Sequence, residues 1–121
     1  NISNNKKFRV MGRSIKEEKK IIYDLKSVEM SGSFSVVLES VTKKLANKIN
    51  KISKIPVIGI GASDKCDGQI LVTEDLLGLL DKSPKFAKNY ENLKSKIAKA
   101  VKKYSRDVIK RNFPSKNYTY T

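Results

Sequence analysis

An α/β fold of short parallel strands covered by amphipathic helices is what this sequence predicts, and three observations predict it. Apolar residues recur at helical spacing in separate segments, apolar runs too short for helices lie between them, and the joining stretches are too short to be domain linkers. At 121 residues and 39% hydrophobic the chain is long enough for one modest unit with a core, and its 3 prolines and 6 glycines argue against wholesale disorder.

The elements follow in order. Ser14-Ile15-Lys16-Glu17 has the S-x-x-E form in which hydroxyl and carboxylate each satisfy an orphan amide, so a helix starts there and runs to about Met30. Ile15, Ile21, Ile22, Leu25 and Val28 make its apolar stripe, and Gly32 stands where a left-handed cap wants no Cβ. Phe34 to Leu38, ending in Glu39, reads as a first parallel strand covered on both faces. Val41, Leu45, Ile49 and Ile52 mark a second helix, with Lys43, Lys44, Asn47 and Lys48 toward water. Ile55 to Ile60 is a second strand leading into the small residues Gly59-Ile60-Gly61-Ala62-Ser63, and Asp67-Gly68 turns the chain into a third strand over Gln69 to Val72.

Thr73 with Glu74 and Asp75 opens a short helix to about Leu80, its acidic residues at the positive end of the dipole. Pro84 opens another helical turn through Tyr90. Leu93, Ile97, Ala100, Val101, Tyr104 and Val108 mark a long final helix stopping before Pro114, with Ser115 to Thr121 as a tail. Three parallel strands leave two unpaired edges and are compatible with either a barrel or an open doubly wound sheet. The chain opens on Asn1 without an initiator methionine, and the simplest expectation is that other residues supply the remaining strands.

Composition removes several chemistries. With no histidine and Cys66 as the only cysteine, these residues hold no internal disulfide, no cysteine metal cluster and no His-dependent triad, so any base is Asp, Glu, Lys or Tyr. No stretch approaches a bilayer span, and the first thirteen residues lack the apolar centre of a secretory signal, so the expectation is a soluble, cytoplasmic segment. The formal charge of +14 raises nucleic-acid binding as a rival reading. Against it, the lysines sit at helical intervals on polar faces and the aromatic residues do not interleave with them, so a solvated Lys-rich surface is the preferred account.

Particular residues then carry a resemblance. IPVIGIGASDKCDGQILVTEDLLGL from Ile55, with PKFAKNY at Pro84 to Tyr90, is similar to the most recognisable stretch of the ketopantoate hydroxymethyltransferase family. FRVMGRS from Phe8, VVLESV at Val36 to Val41 and FPSKNYTY at the end resemble further family segments, so the likeness covers nearly the whole chain from about Phe8. It departs at Ser40 and Thr42, where the family often has Cys and Pro, and at Asn117 or Tyr118, where histidine is frequent.

The resemblance implies the carboxy-terminal portion of a (β/α)8 TIM barrel, residues 1–121 forming about three strands and their helices of a single barrel domain whose amino-terminal strands are absent here. It implies transfer of a one-carbon unit from 5,10-methylenetetrahydrofolate to 3-methyl-2-oxobutanoate, giving 2-dehydropantoate in pantothenate biosynthesis. It implies Glu39 as the catalytic base, Mg2+ held by acidic residues of the amino-terminal part, and a homo-oligomer; this chain alone is then expected to be inactive.

Position supports that role for Glu39, because barrel active sites assemble from strand carboxy ends. Val37 shares its face by two-residue alternation and would help to desolvate the carboxylate. The plainer alternative is a strand-end glutamate that caps a helix or pairs with lysine. The Gly59 to Ser63 loop lacks the glycine at position 64 that a dinucleotide fingerprint needs, because Asp64 stands there; a tight turn and a ligand contact both remain open readings. Asp67, Glu74 and Asp75 are explained by turn formation and helix-end charge without a metal, and Cys66 without a base is incidental. Arg13 and Lys85 are candidates for meeting the carboxylates of folate or keto acid but read more simply as surface charges or inter-subunit contacts. A non-catalytic half-barrel subunit is the third reading.

Overall fold

The computed structural model describes residues 9–120; Phe8 and Thr121, at the two ends of the resemblance, lie outside the described residues. Contacts divide the described chain into two compact units, one of residues 9–72 with Pro84–Ala87 and one of Thr73–Ser83 with residues 88–120.

The first unit is a parallel sheet with two helices. Helix α1 (Ile15–Met30) starts as its sequence asks: the Ser14 hydroxyl accepts the Glu17 amide at 3.2 Å. The Glu17 carboxylate closes the cap differently from a capping box. It accepts from the Gly12 and Arg13 amides, each at 3.0 Å, because Gly12 at φ +84° folds the incoming chain back over the helix end. Gly32 at φ +79° follows the helix, with its amide on Glu29 O and that of Ser33 on Val28 O, so the left-handed ending expected from the sequence is present.

Strand β1 (Val36–Glu39), helix α2 (Lys43–Ile52), strand β2 (Val57–Ile60) and strand β3 (Gly68–Gln69) follow. The sheet order is β1-β2-β3, all parallel, and the registers Val36↔Val57 to Glu39↔Ile60 and Ile58↔Gly68 fix which side chains share a face. A further parallel bridge, Met11↔Val41, continues the sheet beyond β1 through Met11 N on Ser40 O at 2.8 Å and Thr42 N on Met11 O at 2.9 Å. Spatial order therefore follows chain order with no reversal.

Both helices cover one face. Leu25 of α1 and Leu45, Ala46 and Ile49 of α2 pack with Leu38, Val57 and Ala62 in one core, with Ile21, Ile22 and Val36 against it. Alternation places Val37, Glu39 and Ile58 on the opposite face. That face is open along β1: Val37 is 53% exposed, so the expectation of a first strand covered on both sides does not hold among the described residues. Phe34, expected inside, is exposed and precedes the strand.

The second unit contains helix α3 (Thr73–Leu76), helix α4 (Leu93–Ile109) and a 3-10 turn at Lys116–Tyr118. Helix α3 stops short of Leu80 because Gly78 takes φ +64° and caps it, with Gly78 N on Asp75 O and Leu79 N on Glu74 O. Asn92 caps α4 by accepting the Ser95 amide at 3.1 Å. Tyr104 and Phe113 meet edge to face and Phe113 and Tyr118 at a tilt, with ring centroids 5.6 Å and 5.7 Å apart.

Candidate active site

Glu39 ends β1, and its main chain pairs with Ile60. Ser40 follows at φ +53°, a left-handed conformation that costs a non-glycine residue about 1 to 2 kcal/mol. It turns the chain off the strand into Thr42, whose hydroxyl caps α2 by accepting Leu45 N. The cap is thus threonine, not Glu39, and none of the ion pairs among the described residues involves Glu39. Among the described residues Glu39 therefore takes neither of the two plain roles open to a strand-end glutamate. Its side chain is exposed and shares the open face with Val37, so these residues alone do not desolvate it.

A cleft of about 280 Å³ opens at the carboxy ends of β1 and β2. Val10, Val41, Ile60, Ala62 and Phe86 give it apolar walls, and Ser40, Gly61 and Lys85 complete it. Ile60, the register partner of Glu39, lies on the same side of the sheet as that carboxylate, so the cleft begins where Glu39 emerges. The Pro84–Ala87 segment is held onto it by close packing. A Cβ on Gly61 (φ +65°) would lie 2.7 Å from Phe86 Cβ and 2.8 Å from Phe86 O, so only glycine admits the segment at this depth. Ala87 N closes onto Pro84 O at 2.9 Å, giving a single turn where the sequence suggests helix through Tyr90.

On the helix-covered side a wider hollow of about 680 Å³ is bordered by Lys43, Ser63, Asp64 and Gln69. Its polar groups satisfy one another. Ser63 bonds Asn47 and receives Lys65 N at 3.1 Å, Gln69 Nε2 donates to Ser63 O at 2.6 Å, and Lys43 pairs with Asp64 at 2.7 Å. The hydrogen bond from Lys43 is the main cause that holds the Asp64 carboxyl below the usual range. This favours the structural reading of the Gly59 to Ser63 loop on this side, while Gly61 and Ala62 also line the cleft near Glu39.

The remaining candidates separate. Asp67 accepts Val57 N at 2.8 Å and so anchors the start of β2, in the first unit, whereas Glu74 and Asp75 belong to the second. Asp75 is buried and its Oδ1 has no hydrogen-bond partner among the described residues. Burial pushes the Cys66 thiol up, the nearby Asp67 and Asp64 add to this against a hydrogen bond with the Ser63 backbone, and no thiolate nucleophile results. Arg13 lies at the exposed start of α1, where its amide serves Glu17. Lys85, by contrast, borders the cleft and makes none of the ion pairs among the described residues. The sequence offers Lys85 as a candidate for a substrate carboxylate but favours a surface charge; the packing of Gly61 against Phe86, which brings it to the strand ends, leaves no signature in a single sequence. No group of three or more His, Cys, Asp or Glu among the described residues is placed to hold a metal ion, and no helix among them is long and apolar enough to cross a membrane.

The family model for ketopantoate hydroxymethyltransferase matches residues 1–116. The chain belongs to this family. It is 47% identical over 113 residues to a 3-methyl-2-oxobutanoate hydroxymethyltransferase of Pelagibacter ubique, an alignment covering 93% of this chain and 44% of the relative. The corresponding protein of Maricaulis maris is 43% identical over 114 residues, covering 94% and 41%. One named 3-methyl-2-oxobutanoate hydroxymethyltransferase 2, from Zymomonas mobilis, is 47% identical over 113 residues, covering 93% and 41%. The chain thus spans less than half the length of these curated relatives. Membership is consistent with the parallel sheet and its helices.

Proposed function

We propose that this chain supplies the carboxy-terminal part of a (β/α)8 barrel that transfers a hydroxymethyl unit from 5,10-methylenetetrahydrofolate to 3-methyl-2-oxobutanoate, with Glu39 as general base. The observation that carries the reading is an uncapped, unpaired carboxylate at the carboxy end of a parallel strand, beside an apolar cleft. The barrel is supported by strands in chain order with both helices on one face, which is the winding that closes on itself, while a doubly wound sheet needs a reversal of order. On this reading the open face carrying Val37, Glu39 and Ile58 becomes the barrel interior, and the missing strands desolvate the base.

The step assigned to Glu39 is removal of the proton from the carbon next to the ketone. The C–H pair becomes the enolate double bond, the carbonyl pair moves onto oxygen, and the proton rests on Glu39. Water adds to the folate's methylene bridge, both of its C–N bonds break and tetrahydrofolate leaves with the water's two protons on its nitrogens. The enolate carbon bonds the released formaldehyde-level carbon, whose oxygen came from the water and takes the proton held by Glu39 to become the hydroxyl. The described residues offer no ligand set that fits the expected magnesium, so no step here is routed through it.

Assembled with its amino-terminal strands, the protein is expected to form 2-dehydropantoate, and Glu39→Gln is expected to lower kcat by about 10² to 10⁴. Undiminished turnover in that variant removes Glu39 from the role. The chain by itself is expected to give no product; turnover by the chain alone would show that no further strands are needed.

A further inference from the structure

We infer that the cleft at the ends of β1 and β2 binds the aminobenzoyl-glutamate end of the folate, with the Lys85 ammonium receiving a glutamyl carboxylate. This rests on the transferase reading and names where its one-carbon donor is held. Three independent features converge on it.

The cleft joins opposite chemistries: apolar walls from Val10, Val41, Ile60, Ala62 and Phe86, and a single charged group, the cation Lys85, on its lining. A planar aromatic ring with a carboxylate at its far end matches that pairing, the ring removed from water by aliphatic and aromatic side chains and the charge met at the margin. Lys85 is also uncommitted, in contrast to Lys43, Lys48, Lys94 and Lys96, each of which is paired with a carboxylate of the chain. The cleft lining carries no Asp or Glu to compete for it.

The lysine is held in place through its backbone. Pro84 presets one end of its turn, Ala87 N closes the turn on Pro84 O at 2.9 Å, and Phe86 sits in the space that a Cβ on Gly61 would fill. A two-residue span from Ser40, which lines the cleft, back through Glu39 ties the donor site to the base. The five-carbon keto acid is too small to cover apolar walls that run from Val10 to Phe86 around about 280 Å³, so the larger aminobenzoyl-glutamate is the ligand assigned to the cleft.

Binding is measurable on this chain without catalysis. Amide and side-chain NMR signals are followed while the chain is titrated with 5-formyltetrahydrofolate, with the amide of pteroic acid, which carries no carboxylate, and with 3-methyl-2-oxobutanoate. The expected result is saturable shifts at Val41, Ile60, Lys85 and Phe86 with the formyl folate, a loss of about three- to tenfold in affinity for Lys85→Gln, no such loss for Lys54→Gln, and no difference between Lys85→Gln and wild type with the pteroic acid amide. Equal folate binding by Lys85→Gln and wild type overturns the inference, as does a Lys85-dependent response to the keto acid without one to the folate. Because no turnover is involved, either failure leaves the role of Glu39 as it stood, and loss of turnover in Glu39→Gln leaves the folate site as it stood.

Discussion

Helices α2 and α4 are both amphipathic, yet they meet opposite fates. In ten residues α2 buries Leu45, Ala46 and Ile49 almost completely against the strands, whereas α4, with seventeen, buries none and leaves Ile97, Val101, Tyr104 and Val108 exposed. The difference teaches that an apolar stripe states a demand for cover without naming what provides it. For α2 the sheet provides it within this chain. For α4 the described residues of its own unit do not, and the open face of the sheet beside Glu39 stands in the same position.

Substitutions sharpen that contrast. Leu45→Ala removes a fully buried side chain and is expected to cost about 2 to 5 kcal/mol in a denaturant titration followed by amide exchange in α2. Gly61→Ala, strained at φ +65° and pressed against Phe86, is expected to cost about 1 to 3 kcal/mol and to disturb Lys85 and Phe86 signals before those of α1. Thr42→Ala deletes the α2 cap and should cost about 1 kcal/mol. Val101→Ala on the exposed stripe of α4 is expected to change stability by less than about 0.5 kcal/mol. A loss as large as that of Leu45→Ala would show that the stripe is covered and break the comparison.

The smallest effect is electrostatic and belongs to the entry of α1. The Arg13 amide, then the Arg9 charge and the Gly12 amide, hold the Glu17 carboxyl below the ordinary glutamate range against a desolvation penalty. A depressed carboxyl contributes its stability above the unfolded value and loses it as pH falls through the lower folded value. Wild type should therefore melt slightly above Glu17→Gln near neutrality, with the gap closing in acid; a gap that persists at low pH would assign the effect to packing.

Much of this fold was legible because local chemistry decides it. Ser14 and Gly32 bracket α1 as read, and the run ending in Glu39 is a strand. What escaped was decided at a distance. The helical turn expected through Tyr90 is a single tight turn, since Phe86 is held against Gly61. The third strand shrinks to Gly68–Gln69, where the Gln69 side chain turns to Ser63 and β2 stops at Ile60, before Gly61. For the site, Glu39 could be named from strand position and resemblance and Lys85 as one candidate for a substrate carboxylate, but placing Lys85 needed the register that sets Ile60 beside Glu39 and the contact that brings the Pro84–Ala87 turn to the strand ends. Neither is written in residue spacing.

Proton abstraction by Glu39 is most directly tested by deuterium exchange at the carbon next to the ketone of 3-methyl-2-oxobutanoate, in the protein assembled with its amino-terminal strands and without folate. The account predicts that wild type and Lys85→Gln exchange at equal rates while Glu39→Gln is slowed about 10² to 10⁴-fold. Exchange at the wild-type rate in Glu39→Gln would contradict it.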